Sequence, residues 1–488
     1  MEAAAARSAG LPGGHPRILF LLPGSAVAAL WLLVWWRGVT LPPAGRLRDA
    51  LGLPAIAPPS EAMYLAAFAL CSLALAASWF AAARAAGRLG AGLPAIARGA
   101  CALALPMVLL PAIYSDDVYL YHFYGRELVS YGVNPLLVPP SAFSGDPHLE
   151  WVYWKWLPSA YGPLWLSLSA PVTALAGDSI TAAVVLYRLL GLAAHLAAAA
   201  LIWCAVRRID APRAPAAAAF FAWNPFVLFE SVASAHNDAT MVAFIAAAVV
   251  AAAAARWHTA SAALAAAAMV KPYAVLLFVP LAACAWFHAA PRRLSRVAKM
   301  AAVAGGSAAA LYAPLWAGDA LLRNVLANPA SGAYSNTLWD LAARQLATPS
   351  MSRTWLEGTL MDPLRLAVLA GALAASVAVA RRRDFAAAAL VAWVGFCFAA
   401  SWLWPWYFVP AIAFAACGGP RARALAAAIT VGGLLFYLGW PRPSAALSWL
   451  YTWRSALLFG PPLATLAALA ISGRHRRRRA LRFDAAAA

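Results

Sequence analysis

The chain has 488 residues, 64% of them hydrophobic and only 11% charged, with a formal net charge of +19 and a mean hydropathy of +0.72. Recurrent apolar runs of roughly 17–27 residues, each long enough to cross about 30 Å of hydrocarbon, exclude a water-soluble globular domain and predict an all-α polytopic membrane protein. The cationic excess sits in short tracts between those runs and not among aromatics on a soluble surface, which excludes nucleic acid as a partner and marks cytoplasmic loops.

The first run, 18–36, ends in Trp35-Trp36 and lacks a small-residue cleavage site, so it is expected to remain as an anchor. From a cytoplasmic N-terminus, this run and those near 64–83 and 96–113 bring residue 114 onward to the non-cytoplasmic side. Asp116 and Asp117 follow at once, and adjacent acids in so charge-poor a chain call for a reason. One is general-base work on a sugar hydroxyl, with Asp117 as the base; another is capping of the helix that begins near Val118. Tyr119, Tyr121 and Tyr124 offer faces for sugar rings. Trp151, Trp154 and Trp156 do the same or form an interfacial belt. Arg126 is either a phosphate ligand or the ion-pair partner of Glu127 or Asp116.

The run 161–176 poses a parity conflict: if it crosses, Arg207, Arg208 and Arg213 fall outside. Laid along the outer surface, it lets every later basic tract fall inside, including Arg292/Arg293/Arg296, Arg381 to Arg383, Arg421/Arg423 and Arg476 to Arg479. The runs from 180–206 through 446–471 then alternate to about 14 crossings and a cytoplasmic C-terminus. Two outer turns are helix breaks, Lys271-Pro272 and Trp404-Pro405-Trp406-Tyr407, of the kind tolerated at membrane depth where they line a polar cavity. Lys271 is then an isolated cation that either snorkels or meets an anion such as a lipid phosphate. His236-Asn237-Asp238 occupies a helix mouth, where Asp238 is a natural N-cap and where acceptor binding or a divalent metal is also conceivable, although this pair of ligands alone makes no metal site. Parity gathers Asp116/Asp117, residues 236–238, Lys271, the 404–407 turn and the loop 318–362 on one face. The six cysteines (Cys71, Cys101, Cys204, Cys284, Cys397 and Cys417) have neither paired nor metal-ligand spacing and read as packing residues.

The ordered motifs Ser115 to Pro135 (including Asn134), Tyr161-Gly162-Pro163-Leu164, Asn224 to Glu230, Ala235 to Asp238, Lys271-Pro272 and Trp404 to Tyr407 resemble GT-C superfamily glycosyltransferases. They are most similar to the polyprenol-phosphate-mannose-dependent alpha-1,6-mannosyltransferases of bacterial lipoglycan synthesis, over residues 96–440. The resemblance implies a catalytic membrane core there, with N-terminal helices at 1–95 and a last helix with a basic tail at 441–488. It implies surface-lying helices in the first large outer loop, 114–178. It implies a plasma-membrane enzyme acting on the non-cytoplasmic side, which moves a sugar, mannose in the relatives, from a polyprenyl-phosphate donor to a glycan or glycolipid acceptor by a single inverting displacement. Asp117, with Asp116 as the alternative, would be the base, and Lys271, with Arg126, would attend the donor phosphate. Tyr119, Tyr121, Asn134, Tyr161, His236, Asn237, Asp238, Trp404, Trp406 and Tyr407 would contact sugar or acceptor. The competing reading is a lipid-linked sugar flippase or transporter, for which the mid-run charges Arg188 and His195 would be pathway groups.

Overall fold

Long stretches of alanine and leucine lose little side-chain freedom in a helix and expose no competing polar group, so helix is what they form. The computed structural model describes residues 60–109, 115–288, 292–328, 331–440 and 443–487, with side chains to 472. Among these residues all regular structure is helical apart from one isolated parallel bridge, Ser335 to Trp402. The helices are α1 (Glu61–Arg88), α2 (Leu93–Val108), α3 (Asp117–Val129), α4 (Pro163–Ala176), α5 (Ile180–Ile209), α6 (Ala214–Ala222), α7 (Asp238–Ala253), α8 (Trp257–Val270) and α9 (Phe278–His288). They continue with α10 (Arg293–Tyr312), α11 (Ala320–Ala327), α12 (Leu338–Leu346), α13 (Asp362–Ala380), α14 (Phe385–Ala399), α15 (Val409–Cys417), α16 (Pro420–Phe436) and α17 (Ser448–Ala487). Short polar caps set several boundaries: Ser60, Ser179 and Asp384 each accept a bond from a first-turn amide.

The number of crossings differs from the expectation. Four helical stretches are long and apolar enough to span: Glu61–Arg88, Ile180–Ile209, Arg353–Ala380 and Ala445–Ser472. Two pairs bent by 49° and 90° at short breaks raise the total to six, so about 14 crossings is not what these helices provide by length and composition. Proline and polar breaks cut the other runs into helices of 10–17 residues. At 14 residues α8 rises only about 20 Å, short of a span. The expected anchor at 18–36 and the end of the run 96–113 lie outside the described residues.

Helix α7 packs between α5 and α8, and α6 lies against α1 and α5. The segment 214–241 is almost wholly buried, as is most of α15. Charge within this core is spent locally. Arg188 donates to the carbonyls of Ala233 (3.0 Å) and Val108 (3.2 Å), and His195 Nε2 lies 2.9 Å from the Ala222 carbonyl. Both side chains thus satisfy helix-end carbonyls.

Two close approaches position the site. Gly162 donates its amide to the Val270 carbonyl (3.0 Å), and a Cβ there would stand 2.1 Å from the Met269 carbonyl oxygen, so only glycine lets the 161–163 turn sit on the end of α8. Gly191 on α5 is equally pressed, 2.1 Å from the Ser231 carbonyl by the same measure. That contact fixes a π-helical turn, Phe229–Ala233, which carries Glu230 and leads through Ala235 (φ 55°) to His236.

Candidate active site

Asp117 opens α3 with a side chain only 16% exposed. Its Oδ2 accepts from the hydroxyls of Tyr121 (3.2 Å) and Tyr161 (3.4 Å) and lies 3.4 Å from His236 Nδ1. Burial alone would push this carboxyl up. The approach of His236, the Lys271 cation and the Tyr121 hydroxyl overcome burial and hold the group below the ordinary aspartate value. Asp116 takes the opposite course: burial, then the charge of Asp117, push it up. It stands at the N-cap position of α3 without a side-chain cap bond, so the capping expected of this pair is not made by it. The two acids also face different spaces. Asp117 lines a cavity of about 560 Å³ shared with Lys271, whereas Asp116 lines a separate one of about 410 Å³ with Tyr119, Glu150 and Lys155.

Lys271 follows the last residue of α8, where Pro272 turns the chain into a tight helical segment, Pro272–Leu277. The expectation of an isolated cation does not hold, because its ammonium is paired with the Asp238 carboxylate. Asp238 also accepts from the Tyr273 hydroxyl (2.7 Å), and the Tyr161, Tyr273 and Tyr407 rings surround the ammonium at 5.8, 5.7 and 5.6 Å. Asp238 is therefore a charge partner and not the N-cap of α7, a position held by Asn237. The Asn237 side-chain oxygen lies 3.3 Å from the Tyr121 hydroxyl, tying that tyrosine to both Asp117 and the mouth of α7.

His236 is fully enclosed between two acids. Beyond Asp117, its Nε2 lies 3.5 Å from Glu230 Oε2, and Glu230 Oε1 accepts from the Tyr437 hydroxyl at 2.7 Å. The imidazole stacks on Trp406 (centroids 3.8 Å apart), which in turn stacks on Trp404 at 5.1 Å. The cavity runs from Asp117 past Tyr161, Lys271 and Tyr273 to Trp404, Trp406 and Tyr407, with Leu322 and Val325 of α11 on its outer wall. Backbone bonds from Ser335 N to Ser401 O (3.0 Å) and Leu403 N to Ser335 O (3.1 Å) tie the 331–337 strip to its rim.

Besides Asp116, three of the expected site residues are elsewhere. Arg126 is held by Asp146 (2.8 Å) and Asp178 (2.9 Å) and does not line the cavity, so neither Glu127 nor Asp116 is its partner. Asn134 shapes a loop, donating to the Leu315 carbonyl and accepting from the Leu136 amide at 3.0 Å each. Tyr119 packs on Trp151 beside Asp116. Conversely, Tyr273, Tyr437 and Arg365 escaped notice in the sequence, and Glu230 drew notice only as the end of a motif. Arg365 lines the cavity while bonded to Asp362 at 2.6 Å. No group of three or more His, Cys, Asp or Glu side chains among the described residues is placed to hold a metal ion. The two ring nitrogens of His236 point Asp117 and Glu230 apart instead of converging them.

Residues 21–288 match the family described as Alpha-(1->6)-mannopyranosyltransferase, N-terminal domain. The chain belongs to this family. Individual members are similar over shorter stretches. An alpha-(1->6)-mannopyranosyltransferase of Mycobacterium tuberculosis is 31% identical over 149 residues, 29% of this chain and 24% of the relative. Alpha-(1->6)-mannopyranosyltransferase A of Corynebacterium glutamicum is 28% identical over 158 residues, 32% of this chain and 31% of the relative. Enzyme B of the same organism is 27% identical over 146 residues, 29% of this chain and 24% of the relative. These matches span from about a quarter to just under a third of the relatives' length.

Proposed function

We propose that the protein is a membrane mannosyltransferase, which moves mannose from a polyprenyl-phosphate donor to a hydroxyl of an envelope glycan or glycolipid at the non-cytoplasmic face of the plasma membrane. The observation that carries this reading is the sharing of one aromatic-walled cavity by a carboxylate kept ionised, Asp117, and two cations, Lys271 and Arg365. Family membership supports the sugar, and the apolar helices support a lipid-borne donor.

In this reading the acceptor hydroxyl gives its proton to Asp117 as its oxygen attacks the anomeric carbon from the face opposite the phosphate. The bond from that carbon to the phosphate oxygen breaks, its electron pair leaves with the phosphate, and the configuration inverts. Lys271 and Arg365 stabilise the charge that grows on the departing phosphate. Asp238 holds Lys271 in place, and the aromatic walls stack against the sugar rings. His236, with Glu230 and Tyr437 behind it, orients Asp117.

The test is mannosyl transfer from a labelled polyprenyl-phosphate donor to a panel of mannosides by the purified chain. Asp117→Asn is expected to lower turnover by about 100- to 10,000-fold, whereas Asp116→Asn stays within about tenfold of wild type. Equal losses for the two, or activity retained by Asp117→Asn, would reject Asp117 as the base.

A further inference from the structure

At the end of α8 remote from Lys271 lies another cavity, of about 440 Å³. A 14-residue helix separates the two, about 20 Å of rise. Arg256, Trp257, His258, Thr259, His288 and Arg296 line it, and no aspartate or glutamate does. Three of these residues form the first turn of α8, whose N-cap Arg256 supplies no side-chain cap bond, so the positive end of the helix adds to the side-chain charge. Internal contacts fix the wall: Arg296 donates to the Ala285 carbonyl (2.9 Å), Ser261 to the Met300 carbonyl (2.7 Å), and Trp257 meets the His288 ring edge-on at 5.2 Å.

An apolar track leads to this cavity. On α9, which ends at His288, Val279 and Trp286 are 39% and 38% exposed and stand seven residues apart, on one face of the helix. A free anion has no use for such a track, but a phosphate that carries acyl chains does. We propose that the cavity binds the phosphate headgroup of an anionic membrane phospholipid whose chains lie along Val279 and Trp286. The ligand is neither donor nor acceptor of the transfer, and the proposal stands apart from the transferase reading.

The full chain in detergent is titrated with phosphatidylglycerol, phosphatidylcholine and inorganic phosphate, with native mass spectrometry reading occupancy and thermal melting reading protection. Phosphatidylglycerol is expected to bind and protect, phosphatidylcholine and phosphate to do neither at matched concentration. Arg256→Gln with His258→Gln changes two exposed side chains and should weaken phosphatidylglycerol by about fivefold or more, with mannosyl transfer unaltered. Arg421→Gln, in a different basic tract, should leave the affinity at the wild-type value. Equal binding of phosphatidylcholine, unchanged affinity in the double variant, or phosphate alone matching the lipid would each overturn the proposal.

Discussion

At the scale of single residues, adjacent acids have been driven apart by their surroundings: Asp117 is held down by a histidine, a lysine and a tyrosine, Asp116 is pushed up by burial and by its neighbour. A base whose folded-state value is depressed stays ionised as pH falls and loses function only below the ordinary aspartate range. The acid limb that Asp117 imposes on kcat/KM should therefore lie under that range. Removing the imidazole by His236→Gln takes away a lowering influence, so the limb should move to higher pH; a limb that stays put would show that His236 does not act on Asp117. Glu230→Gln keeps shape but exchanges the carboxyl behind the imidazole for an amide. It should cost about 10- to 100-fold in kcat with little change in KM, the scale of disturbing a buried hydrogen-bonded contact. A merely structural Glu230 would instead show up as a loss of folded protein.

Between elements, the legible features were those with a local physical cause. Lys271-Pro272 and Trp404-Pro405 announced helix breaks because proline removes a donor, and both breaks do line the cavity. Glu230 and Tyr437 are bonded across 207 positions of sequence, and nothing in either neighbourhood signals the other. Arg126 misled for a related reason: acids beside it in sequence suggested partners, while its actual ones stand 20 and 52 positions away. The Gly162 turn explains how Tyr161 reaches both Asp117 and Lys271. Gly162→Ala should displace that turn from α8, because a backbone carbonyl only 2.1 Å from the new methyl has nowhere to swing. Circular dichroism should still report helix, while transfer falls by more than about tenfold, a misplacement effect. An alanine variant with wild-type kinetics would contradict the contact.

For the whole molecule, the all-helical membrane architecture was readable from composition, but the crossing count was not, since hydropathy merges short helices that proline and bends keep separate. Global stability carries its own titration. Glu127 on α3 is completely enclosed, neither carboxylate oxygen has a hydrogen-bond partner among the described residues, and burial raises the group to about 9. Below its ordinary value both folded and unfolded chains hold the proton. Above it only the folded chain does, so stability declines with rising pH until the folded group also ionises. Glu127→Gln should flatten the thermal midpoint between about pH 5 and 9 and raise it at the alkaline end. An unchanged slope would assign the pH dependence to another group.

The stack of His236 on Trp406 has an optical consequence. An indole in face contact with an imidazole emits differently from a free one, so emission at this position reports whether that ring stays stacked beside the base. With 22 tryptophans in the chain the signal must be taken as the difference between wild type and Trp406→Phe. That difference spectrum would follow displacement of the ring next to Asp117 in unlabelled protein, with no substrate turned over.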